Sequence, residues 1–90
     1  VDFVHYDLNQ RNAGDVVQVT LGTAANVRLL DDLNFNSYQR GGRYSFHGGY
    51  VTQSPYAVQV PSAGHWHVVI DLGGYAGQIR SAIRVLPGPG

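Results

Sequence analysis

An all-β fold, an antiparallel two-sheet sandwich of about seven strands, follows from three observations on this 90-residue chain. Apolar residues recur with a period of two almost everywhere. Gly- and Pro-rich turns punctuate the chain about every ten residues, the spacing of a sandwich or small barrel. The charged residues are six Arg and six Asp, with no Lys or Glu and with twelve Gly, a poor composition for exposed helix faces. Ninety residues make one domain with one modest core.

Each element has its own signal. Asp2 to Leu8 sets Val4, Tyr6 and Leu8 on one face, and the Asn12-Ala13-Gly14-Asp15 turn ends it. Val16 to Gly22 points Val17, Val19 and Leu21 inward. Ala25 to Asp31 follows with Ala25, Val27 and Leu29. From Asp32 to Gly42 the alternation stops, and residues 34–40 read as a short helical turn with Asn34 as N-cap and Gly41 just past its end. Arg43 to His47 alternates again, and Gly48-Gly49 and Ser54-Pro55 bracket a loop. Tyr56, Val58 and Val60 share a face. Trp66, Val68, Ile70 and Leu72 form the strongest apolar stripe, backed by His65, His67 and Asp71. Gly73-Gly74-Tyr75-Ala76-Gly77 reads as a hairpin turn, after which Ile79, Ser81, Ile83 and Val85 face in. The domain thus spans 1–86, with 87–90 a tail or linker stub that cannot continue a strand. Greek-key or jelly-roll-like crossings are expected, with a five-stranded nucleic-acid-binding barrel as the competing architecture. If the last two strands pair directly, Ile70 faces Ser81, Val68 faces Ile83, Asp71 faces Arg80 and His67 faces Arg84.

The motifs narrow the function classes. Absence of Cys and Lys removes thiol and Schiff-base chemistry. No Gly-x-Ser-x-Gly elbow and no acid–base pair of carboxylates stand out, so no enzyme and no cofactor are expected. Balanced Arg and Asp argue against nucleic acid. No run reaches the roughly 18 apolar residues of a membrane span. Lack of Cys points to the cytoplasm. The chain begins at Val1 and holds no Met, the pattern of a trimmed N-terminus.

His65 and His67 flank Trp66, with imidazoles on one face roughly 7 Å apart, a pair able to share a metal ion. Asp71, roughly 20 Å along the strand, is too far to be a third ligand. His5 or His47 would have to fold against the pair. The expected register puts a cationic Arg84 beside His67, which opposes a metal, so two solvent-facing histidines are the simpler expectation. Asp32-x-Asn34-x-Asn36 imitates a calcium loop but has Ser37 and Arg43 where Gly and Glu are needed. Turn and cap hydrogen bonds explain it better than a looser site on Asp31, Asp32 and Asn34.

Leu33 to Tyr56 is rich in aromatics, Arg and amides, the chemistry of an interface. Tyr38, Arg40, Arg43, His47 and Tyr50 are its candidate contacts. A non-enzymatic module that meets a protein partner or a fused domain is the expectation, with self-association along a sheet edge favoured by zero net charge. The alternative is a small-ligand binder, for carbohydrate or metal, using His65, His67 and the same aromatic segment. An exposed flat aromatic beside Asn or Gln would favour sugar, and three converging His would favour a metal.

Several runs have a familiar look: Phe3 to Leu8, Asn34-Phe35 with Tyr38 and Gly41, Tyr44 with Gly48-Gly49, Ser54-Pro55-Tyr56, and Val60-Pro61 through Tyr75. From about Phe3 to Pro87 the chain resembles a small bacterial domain-of-unknown-function family whose members stand alone or are fused to TIR-type domains. Val58 through Asp71 also resembles, more loosely, the closing hairpin of pre-peptidase and GOLD-like sandwiches. The resemblance implies an intracellular β-sandwich and carries no catalytic residues with it.

Overall fold

In the computed structural model, which describes residues 3–73 and 79–88, seven strands and one helix follow in chain order. They are β1 (Val4–Arg11), β2 (Val16–Leu21), β3 (Ala25–Asp31), α1 (Asp32–Gln39), β4 (His47–Val51), β5 (Tyr56–Gln59), β6 (Gly64–Asp71) and β7 (Ser81–Leu86). A four-stranded sheet has the order β1-β6-β3-β4 and a three-stranded sheet the order β5-β2-β7. Every pairing is antiparallel. The sandwich, rather than the closed barrel, is the architecture.

The period-two pattern explains the core between the sheets. Val17 and Val19 from one sheet meet Val27, Leu29, Val68 and Ile70 from the other, all fully buried. Burying each such side chain contributes roughly 1.5–3 kcal/mol. Trp66 closes one end, its indole N–H donating to Ser62 O at 2.9 Å. Tyr6 joins the sheets, its hydroxyl 2.7 Å from Ser81 Oγ.

Three expectations change. Strands β6 and β7 lie in different sheets, so the register that put Ile70 opposite Ser81 and His67 beside Arg84 does not exist. Arg84 instead sits opposite Gln18. The proposed hairpin turn falls mostly on residues 74–78, outside the described residues. The fourth strand begins at His47, where it was expected to end, and includes Gly48 and Gly49. Gly48 has φ +127, and a Cβ there would collide with Val27 O, so glycine here permits a close strand approach rather than a loop. The helix starts at Asp32 with Asp31, not Asn34, as N-cap: the Asp31 carboxylate accepts the Asn34 N–H at 2.8 Å. Beyond Leu86, Gly88 N–H donates to Asp15 Oδ1 at 3.2 Å.

Helix α1 lies across the outer face of the four-stranded sheet. It lowers Phe35 onto Leu30 and Val69, making a second, smaller apolar cluster bordered by Phe3, Tyr38 and Tyr44. This roof is what turns a solvent-facing sheet surface into a site.

A histidine–aspartate cluster beneath helix α1

Antiparallel pairing decides which side chains meet on the roofed face. His5 lies opposite Val69 and Asp7 opposite His67, while His67 also lies opposite Leu30 on β3. Residues i and i+2 of a strand share a face, so His5, Asp7, His65 and His67 converge. The register slips between Asp7 and Asn9, leaving Leu8 as an extra residue. Asn9 takes φ +61, and its N–H donates to Asp7 Oδ1 at 2.9 Å, which fixes the carboxylate beside β6.

The rings are layered. Phe35 stacks on His5 and on His67 at centroid separations of 4.2 Å for each, and His65 stacks on His67 at 4.7 Å. His67 is buried (4% exposed) while His65 and Asp7 remain exposed. The expectation of two solvent-facing histidines therefore fails for His67, because the helix covers it.

Hydrogen bonds set the tautomers. Asp32 Oδ1 stands 2.9 Å from His67 Nε2. A carboxylate only accepts, so that nitrogen carries the proton, and in the neutral ring Nδ1 is the acceptor. His5 Nε2, 2.9 Å from His67 Nδ1, is then the donor to it. His65 Nε2 meets Asp7 Oδ1 at 2.6 Å. Burial, and then the neighbouring His67, hold His5 below its ordinary value of 6.5. The Asn9 N–H first, and then His65, hold Asp7 below 3.8.

One ligand atom each from Asp7, His65 and His67 lies within 4.8 Å of the others. Two imidazoles and a carboxylate suit zinc and neighbouring transition metals. The Asp32–His67 bond adds the carboxylate that usually orients a metal-bound histidine. Zinc ligands at about 2.0–2.1 Å in tetrahedral array stand roughly 3.4 Å apart, so loading draws the ligand atoms together, parts Asp7 from His65 and displaces the His5 N–H from His67 Nδ1. The missing register removes Arg84 as an electrostatic objection. Asp71 is indeed elsewhere, bound to Arg28 and Asn26. The third ligand position is Asp7, and neither His5, which bonds His67 Nδ1, nor His47 belongs to the group.

The five expected contacts do not form one patch. Tyr38 is half-buried, edge-on to Phe3 and Tyr44 at 5.5 and 5.1 Å. Arg40 and Arg43 are exposed just past the helix. Tyr50 is exposed on the outer face of β4, opposite Asn26. His47 lies opposite Leu29 on the other face, its ring 6.1 Å from Trp66. Asp31 and Asn34 serve the helix cap, and Asn34 Oδ1 also accepts the Ser45 N–H at 2.8 Å.

A family model described as "Domain of unknown function (DUF1883)" matches residues 1–89. The chain belongs to the DUF1883 family. No curated protein and no solved structure matches it. Among the described residues of this DUF1883 domain, no helix is long and apolar enough to cross a membrane. Asp7 and Asp32, the two carboxylates of its cluster, were missed from the sequence. Only the cross-strand partner of His67 and the true helix start reveal them.

Proposed function

We propose that this domain is a non-enzymatic binding module whose ligand is a transition-metal ion of the zinc class. Asp7, His65 and His67 hold the ion between β1 and β6. One observation carries the reading: three ligand atoms within 4.8 Å of one another, with the far nitrogen of the buried histidine held by Asp32. Each carboxylate at the site engages an imidazole rather than its fellow, which suits holding an ion more than paired acid–base work.

Thermal unfolding with zinc tests it. At a hundredfold excess over its dissociation constant the ion adds about 2.7 kcal/mol, a rise of roughly 10–20 °C for a domain this size. Asp7→Ala and His65→Ala, both at exposed positions, fold and lose the rise. A midpoint unmoved by zinc, cobalt or nickel, or a rise that both variants keep, defeats the proposal.

A second reading, contact with a protein partner, a fused domain or another copy, draws on Leu33, 73% exposed on α1, and Phe46, 42% exposed, with Arg40 and Arg43 nearby. Sedimentation across concentration checks self-association. A dimer that Leu33→Asp dissolves supports that form of it, and a monomer throughout removes it.

A further inference from the structure

Tyr50 is a large aromatic residue with little work to do in the fold. It is 69% exposed and stands on an edge strand. The aromatic chain of this face runs Phe3–Tyr38–Tyr44–Phe46 and passes it by. With Val51, Thr52, Gln53 and Tyr56 it lines a surface depression of about 200 Å³, room for one ring-sized group.

The walls are held from below. Val51 is buried (5% exposed) and Tyr56 packs against the main core. Between them the loop is tied down where Ser54 Oγ accepts the Leu21 N–H at 2.8 Å. The lining groups are phenol hydroxyls, a threonine hydroxyl and a glutamine amide. They donate and accept without charge. Such a set has no counter-charge for an ion. It matches a ligand that is neutral, rich in hydroxyls and apolar on one flat face.

We propose that this corner binds one ring of a neutral saccharide, with the C–H face on Tyr50 and hydroxyls reaching Thr52 and Gln53. A proline-rich peptide, the other neutral ligand that favours aromatic walls, needs a groove running along several of its residues. This depression of about 200 Å³ is lined by only five residues of one corner. The corner is independent of the metal cluster, because β4 and β1 are opposite edges of one sheet, roughly 14 Å apart at three strand spacings.

Amide chemical-shift mapping with maltohexaose, cellohexaose and chitohexaose at millimolar concentration, in chelator, tests the proposal. At least one sugar is expected to perturb amides of residues 50–56, and Tyr50→Ala to weaken it at least about tenfold. Because Tyr50 is exposed, that variant should unfold within a few degrees of the parent. Three flat titrations, perturbations centred elsewhere, undiminished binding by Tyr50→Ala, or perturbation of these amides by decaproline but not by sugar would each overturn it. Zinc-induced stabilisation of Tyr50→Ala, measured alongside, reads the metal cluster separately.

Discussion

Asp71 is a carboxylate that the fold keeps charged under cover. Burial opposes that charge most strongly, yet the Asn26 amide, the Gly73 N–H and Arg28 together hold its pKa below 3.8. Asn26 Nδ2 and Gly73 N both donate to Oδ1, at 2.9 and 2.8 Å, and Arg28 pairs with Oδ2. A carboxyl whose native pKa is depressed binds protons more readily when unfolded. Its stabilisation is complete above the unfolded value and fades as pH falls through the native one. Midpoints taken from about pH 5 to about pH 2 should therefore drop in the parent and drop less in Asp71→Asn. At neutral pH the variant should lose about 3 kcal/mol, since Arg28 is left buried without its partner. An equally steep acid limb in the variant would show that Asp71 is not the group responsible. Arg28 raises the stakes, because its buried Nε has no hydrogen-bond partner among the described residues, while its guanidinium packs on Tyr38 and Phe46 at 5.7 and 5.5 Å.

At the scale of elements, β4 and α1 carry the departures from simple patterning. Gly48→Ala should cost more than about 1 kcal/mol, because alanine combines a strained positive φ with a collision against the β3 backbone. Gly49→Ala meets nothing within 4 Å but shares the positive φ, so denaturant titration should rank it the milder of the two. The order reversed would place the strand's need for glycine in its torsions alone. Strands with an unbroken alternation, such as 16–21, are legible because each inward Val or Leu repeats the same message. β4 is not, since glycine signals a turn locally and a close approach only once β3 is beside it. The helix start is hidden for a related reason: Asp31 ends a strand and caps a helix at once. The His65/His67 pair is visible as two side chains on one face. Its partners at positions 5, 7 and 32 come from pairings across 35 to 62 residues, which no local period encodes.

The whole molecule is wired over long distances. In the three-stranded sheet no hydrogen-bonded neighbours are consecutive in the chain, and in the four-stranded sheet only β3 and β4 are, with α1 between them. Loop closure must precede the contacts that reward it, so folding should take milliseconds to seconds rather than microseconds. Stopped-flow refolding checks this, and completion within the dead time would show that local structure does more than the topology allows. The histidine–aspartate cluster follows the same wiring, since Asp7, His65 and His67 come together only when β6 docks on β1. Strand β1 is then a free edge of its sheet, and an open edge invites a neighbouring molecule to add a strand. The extra residue at Leu8, which sets Asp7 in the cluster, also bends that edge and interrupts its ladder of donors and acceptors. One inserted residue thus sets a carboxylate beside two histidines on one side of the strand and makes the other side a poor template for self-copying.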